Sequence, residues 1–302
     1  MIVRPRPTLP QLFFITRGSI VPRIAPHIIG FALYAAVIVE AEKSFHFQFG
    51  SYGLAPFTLL GVTLSIYLVF RNNAAYDRWW EARKLWGQLV FDIRNFSRAA
   101  IALVPADSGQ VRPLLMQAVA FCHLLRGQLR HIDASPEARK FVRADIDRLL
   151  TSSNKPDAVI RTMGERIGAL RSAGSIDPMG FRILDERLSS LAALQAGCER
   201  IAGTPLPFAY TLLLHRSAYL FCLLLPFGLA DSAGWYTLLF TAFITYSFFG
   251  LDALSEELED PFGTAPNDLP LDTLCRVCEI SVFEALGEAP PEMLAADHYL
   301  YT

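Results

Sequence analysis

Between Leu54 and Phe70 no side chain ionises, and the run passes directly into Arg71-Asn72-Asn73-Ala74-Ala75-Tyr76-Asp77-Arg78-Trp79-Trp80-Glu81-Ala82-Arg83-Lys84-Leu85-Trp86-Gly87. As a helix rising ~1.5 Å per residue the apolar run extends about 26 Å, close to the ~30 Å hydrocarbon thickness of a bilayer. Arginines and tryptophans gather where it stops, which is the chemistry of a membrane-water boundary on the cytoplasmic side. The pattern therefore predicts a membrane-spanning helix that runs into a cytoplasmic one.

Three further apolar runs follow the same logic. Ile24 to Val39 makes a first span, preceded by Pro26 and His27 and ended by Glu40; Glu40, Glu42, Lys43 and His46 form a short loop, and Ser51 to Phe70 makes the second span. The cationic flanks of this hairpin share one side, the cytoplasm by the positive-inside rule. Far downstream, Thr204-Pro205-Leu206-Pro207 returns the chain to the bilayer. Ser217 to Ala230 and Ser232 to Leu251, divided by Asp231, make a second hairpin. Its first span starts near Leu206 and keeps His215 and Arg216 away from lipid tails, where ionisable groups are costly.

Between the hairpins the periodicity is helical. Ala82, Trp86, Leu89, Ile93, Phe96, Ala100 and Leu103 recur at steps of three and four until Pro105 and Gly109, and Val111, Leu114, Leu115, Ala118, Cys122, Leu125 and Leu129 make a buried bundle helix. Ser135-Pro136-Glu137, Asn154-Lys155-Pro156 and Asp177-Pro178 each place a capping side chain just before a proline of the first turn, with Gly174 as a stop. No sustained alternation appears between Arg71 and Gly203, so this part is expected to be all-helical. The expected organisation is a cytoplasmic arm (1–23), a membrane hairpin (24–70), a cytoplasmic helical region (71–205), a second membrane hairpin (206–251) and a cytoplasmic C-terminal segment (252–302).

Composition narrows the function classes. With 52% hydrophobic and 19% charged residues over 302 positions the chain is too apolar for an ordinary soluble domain and too charged to lie wholly in lipid. A formal net charge of -2 and the lack of a basic stripe with stacking aromatics argue against a nucleic-acid partner. Five scattered cysteines make no secreted disulfide framework, and Cys122, Cys198 and Cys222 sit in apolar helical patterns where burial is ordinary. Arg4, Arg6, Arg17 and Arg23 mark the N-terminus, where the apolar stretch Leu9 to Ile15 is broken by Pro10 and has no cleavage site, so it reads as a retained cytoplasmic arm.

Phe70-Arg71-Asn72, Tyr76, Arg78, Glu81-Ala82-Arg83 and Leu85-Trp86-Gly87 together resemble the bestrophin family in its bacterial branch. Thr204-Pro205-Leu206-Pro207-Phe208-Ala209-Tyr210-Thr211, Glu256-Glu257-Leu258-Glu259-Asp260-Pro261-Phe262-Gly263 and Asn267-Asp268-Leu269-Pro270-Leu271 look like the signatures around that family's third and fourth spans. The resemblance implies an all-α membrane protein with four transmembrane helices and a large helical cytoplasmic part, assembled as a homopentamer around one central pore lined by the second span. It implies a passive ion channel of the bacterial inner membrane, with both termini cytoplasmic and with membrane lipid and permeating inorganic ions as its other partners.

The family's narrow neck matches Val62, Ile66 and Phe70, which stand at i, i+4 and i+8 on one helical face. Five copies would stack three apolar rings, and a narrow apolar ring gates by dewetting because it offers no oxygens in place of an ion's hydration shell. Without the resemblance such a stripe would face lipid or neighbouring helices. The family's cytoplasmic aperture matches Met179, for which an ordinary core position is the alternative. Arg71, Asn72, Tyr76, Arg78, Glu81, Arg83 and Trp86 are expected to be structural parts of the pore exit.

Eukaryotic relatives bind calcium through acidic side chains after a Pro-Phe-Gly element. Here Thr264-Ala265-Pro266-Asn267-Asp268 follows Pro261-Phe262-Gly263. Glu259, Asp260 and Asp268 are then the available acidic candidates, a thin supply for a cation that takes six to eight oxygens. No metal site and no calcium activation are expected, and Glu256 to Asp260 read as a solvated helix end pairing with arginines between subunits. Cys275-Arg276-Val277-Cys278 lacks the second pair a zinc site needs, the histidines are isolated, and no phosphate loop or catalytic order appears, so neither a cofactor nor an enzyme is expected. Small monovalent ions are the expected permeants: the branch resembled implies cations, and anions, which the eukaryotic relatives pass, are the alternative. The rivals are a secondary transporter, which would need paired repeats beyond Pro56, Gly61 and Pro226, and a membrane-anchored scaffold.

Overall fold

The computed structural model describes every residue except 6, 46–54 and 143–145. His46 of the expected loop, and Ser51 and Leu54 at the expected start of the second span, lie outside the described residues. Among those described there is no strand, only isolated bridges joining Ile2 and Asp297 to Leu300. Eleven α-helices are described: α1 (Leu9–Phe14), α2 (Val21–Phe45), α3 (Ala55–Leu103), α4 (Val111–Arg130), α5 (Ser135–Phe141), α6 (Ile146–Leu150), α7 (Lys155–Ser172), α8 (Pro178–Gly203), α9 (Phe208–Ala233), α10 (Tyr236–Glu259) and α11 (Leu271–Ala285). They fall into two compact units, one of residues 5–79 and 205–260, the other of residues 1–4, 80–204 and 261–302.

The first unit holds α1, α2, the start of α3, α9 and α10. Among the described residues four helices (α2, α3, α9 and α10) are long and apolar enough to cross a membrane. Helix α10 packs on α2 and α9, and α2 packs on α9. The core they share includes Phe31, Leu64, Leu68, Phe221, Phe248 and Phe249. Apolar side chains also cover the outside of these helices, as a lipid solvent permits; Leu33, Val37, Leu213 and Phe243 are all exposed.

Several element ends differ from the sequence expectation, each for a local reason. Glu40, Glu42 and Lys43 are the last turns of α2, not a loop, and Ser44 Oγ donates to Glu40 Oε1 at 3.0 Å across one turn. Pro10 does not break its segment: it lies in the first turn of α1, where its missing N–H costs nothing, and the Gln11 side chain accepts the Thr8 N–H at 3.0 Å. Asp231 and Ser232 belong to α9, and the chain turns at Gly234, whose φ of +52° suits glycine. Gly228 on α9 lets α3 approach closely, since a Cβ there would lie 2.5 Å from the Phe57 ring.

The second unit is built around α4, which is buried without interruption from Leu114 to Gly127 and packs against α5, α7, α8 and α11. Its C-terminal end closes tightly: His131 takes the left-handed conformation, and a Cβ on Gly127 would stand 2.6 Å from that of Ala134. The Asn154 side chain caps α7 by accepting the Asp157 N–H, and the Asp177 side chain caps α8 by accepting that of Gly180. Ser135 is not a cap; it is the first residue of α5, and its own N–H is taken by Asp133 Oδ1 at 3.0 Å. The N-terminal residues join this unit beside the C-terminal segment, with Ile2 N–H donating to Pro266 at 2.8 Å and Val3 N–H to Tyr299 at 2.9 Å.

Candidate functional site

Within the first unit, α3 carries two faces that the fold treats in opposite ways. Leu64 and Leu68, at 5% and 1% exposure, face the chain's own core. Val62, Ile66 and Phe70 keep 54%, 51% and 61% of their surface exposed, so a single chain leaves this apolar face without cover. The hydroxyl protons of Thr63 and Ser65 are used within the helix, donated to carbonyls one turn back, Leu59 at 2.9 Å and Gly61 at 2.8 Å.

One position beyond Phe70 the character reverses. Arg71 is fully buried and pairs with Asp252 of α10, whose second oxygen meets His215 Nδ1 of α9 at 2.7 Å. Arg71 Nη2 also lies 4.0 Å from Glu259. The same helix ends are sewn together by Ser255 Oγ donating to Asn72 Oδ1 at 3.2 Å, Arg78 Nε donating to the Glu259 carbonyl at 3.1 Å, and the Leu206 N–H donating to Glu259 Oε1 at 2.9 Å. A buried guanidinium needs such partners, because an unpaired charge removed from water is costly. These contacts give Arg71, Asn72 and Arg78 positioning work around the exposed apolar face. Tyr76 stacks on Trp79 with centroids 6.3 Å apart.

The remaining motif residues belong to the other unit. Glu81 pairs with Arg200 of α8, Arg83 is exposed, and Trp86 is fully buried with its indole N–H unpartnered. Met179, the second residue of α8, is 61% exposed and so is no core position of the single chain.

The acidic candidates are not gathered into a ligand set. Glu259 is occupied as described, Asp260 is the exposed residue after α10, and Asp268 closes a turn by accepting the Ala265 N–H at 2.6 Å. The group brought within 4.8 Å is instead His215, Asp252 and Glu256, which sequence reasoning did not assemble. Arg71 holds Asp252 and Arg23 holds Glu256, so guanidinium charge already occupies the carboxylates a cation would need. Glu256, expected to pair with arginines between subunits, is met here by Arg23 of its own chain. The available signal was the placement of His215 and Asp252 next to uncharged runs, which implies buried partners for both.

The cysteines are thiols of the interior. All five are free and buried; Cys275 Sγ lies 3.5 Å from the Cys122 carbonyl. Burial pushes Cys198 up to about 12 and raises Cys122 and Cys275 well above the ordinary thiol range, so none of these three is a reactive thiolate at neutral pH.

Comparison with known proteins bears on the same helices. The model of the Bacterial/Fungal Bestrophin protein family matches residues 1–284. A voltage-dependent anion channel-forming protein of Mesorhizobium japonicum is 65% identical over 302 residues, covering 100% of this chain and 97% of the relative. The voltage-dependent anion channel-forming protein YneE of Escherichia coli is 41% identical over 306 residues, 100% of both chains. Among solved structures, a bacterial bestrophin homolog from Klebsiella pneumoniae superposes with a TM-score of 0.85 at 37% identity, covering 88% of this chain and 100% of its own. With the apolar face of α3, the Arg71 anchor and the family model running from the first residue into the last turn of α11, the chain belongs to the bestrophin family, in its bacterial and fungal branch.

Proposed function

We propose that the chain forms a bestrophin-type ion channel, a homopentamer around a shared conduit whose neck is made by Val62, Ile66 and Phe70. One observation carries this: the face holding these three residues is left exposed by a single chain, while Leu64 and Leu68 between them are buried. Five copies of that face would form stacked apolar rings that dry out when narrow. Met179 at the start of α8 is assigned to a second, cytoplasmic aperture. The membrane hairpins 24–70 and 206–251 lie in the bacterial inner membrane, and segments 1–23, 71–205 and 252–302 lie on the cytoplasmic side.

Anion passage is the selectivity we adopt. The relatives' names carry the word anion, and the cation preference expected from the sequence finds no support in them. The neck itself offers no sign, because apolar rings bind neither charge. Purified protein in planar bilayers with asymmetric sodium chloride tests both parts. A reversal potential near that of chloride is expected; one near that of sodium overturns the anion assignment while leaving the channel intact. Ile66→Ala widens the middle ring and should raise unitary conductance by about twofold or more, through weaker dewetting. Unchanged conductance would sink the neck assignment, and electrical silence with only slow coupled flux, or none, would favour a transporter or a scaffold.

A further inference from the structure

The unit built around α4 contains a cavity of about 710 Å³ that the conduction pathway does not use. It is bounded by α4, α5, α11 and the segment after α11, and its volume is that of a small-molecule site. Met116, Phe141 and Phe283 supply apolar wall, and the Phe141 ring stacks on His123 at 5.4 Å.

The polar lining is mostly paired guanidiniums and carboxylates. Asp272 is shared between Arg126 at 2.5 Å and Arg130 at 2.6 Å; burial alone would raise its carboxyl, but the two guanidiniums hold it below the ordinary range. Glu279 is likewise shared, between His123 at 2.7 Å and Arg276 at 3.3 Å. Glu137 is 4.0 Å from Arg126, Arg112 is satisfied by Glu288, and the Thr302 oxygen is taken by the Thr273 N–H at 2.8 Å. After this pairing Arg126, itself buried, and Arg276 each keep an unpartnered Nε, and Glu137 keeps an unpartnered Oε2. Lys140 lines the cavity and forms no ion pair among the described residues. The two guanidinium Nε groups are buried donors without acceptors, which are unusual in a native fold and mark a place where an acceptor binds.

We propose that this cavity binds an organic anion with a carboxylate or phosphate head and an apolar body. The head meets Lys140 and the cationic wall of α4 and α11, and the body lies on Met116, Phe141 and Phe283. Charge-assisted hydrogen bonds give such a head its orientation.

Isothermal titration of the detergent-solubilised full chain with phenyl phosphate, benzoate, inorganic phosphate and benzylamine tests this. Phenyl phosphate or benzoate should bind with a Kd below about 1 mM, and which of the two binds more tightly identifies the head. Lys140→Glu should weaken the tighter of the two about tenfold or more. Ala289→Trp, at an exposed rim position, should abolish its binding by filling the cavity while leaving the melting temperature unchanged. Binding of neither anion, equal affinity in both variants, or equally tight benzylamine would overturn the site. Inorganic phosphate binding as tightly as phenyl phosphate would overturn the apolar-body requirement.

Discussion

Arg71 stands next to the exposed ring of Phe70 yet has no exposure of its own, and this contrast organises the residues of the candidate pore helix. Its guanidinium is the countercharge of a buried carboxylate, so Arg71→Ala strands Asp252 and should destabilise the chain by about 3–5 kcal/mol. Fluorescence-detected melting in detergent should show a large drop, and adding Asp252→Asn should recover part of it by removing the stranded charge. An unchanged melting temperature in the single variant would show that the pair is not structural. Arg71 was legible in the sequence as part of a motif, but Asp252, 181 positions away, was not legible as its partner. Nothing in local spacing encodes a contact made only when α3 and α10 come together. The same holds for Glu279, which meets His123 from 156 positions downstream.

Among the elements, periodicity located helices well and located ends by whatever local chemistry was present. Asn154 and Asp177 cap α7 and α8 as their spacing before a proline implies, because the capping bond is made within three residues. Ser135 sits in the same pattern and fails to cap, because α5 begins one residue earlier than the pattern implies and puts Ala134 at the cap position. Helix α2 runs on through Glu40 and Lys43 because polar residues at a membrane surface end a span without ending a helix. Asp177→Ala should cost about 1 kcal/mol, seen as a modestly lowered apparent melting temperature. A loss as large as that of Arg71→Ala would mean that the Asp177 side chain does more than hold the Gly180 N–H.

For the whole molecule, the proposed channel should ignore calcium. Asp268 is committed to the Ala265 N–H, and the carboxylates nearest to a ligand set, Asp252 and Glu256, are matched by arginines of the same chain. Currents recorded across the micromolar calcium range should therefore stay constant, and a calcium-dependent rise would refute this. Chemical crosslinking of membranes should give a ladder ending at five subunits; a monomer would remove the shared conduit on which the neck depends.

The amino-acid sequence by itself determined that this is an all-helical chain with four bilayer-length apolar helices, since hydrophobic length and periodicity are local properties that need no partner. It also carried the motifs that mark the bestrophin family. Only the tertiary structure decided which face of α3 is left for other molecules: Val62 and Leu64 are equally apolar, and only the packing of α9 and α10 separates the exposed residue from the buried one. The Arg71, Asp252 and His215 cluster and the cavity beside α4 were likewise decided there, because both are assembled from helices far apart along the chain.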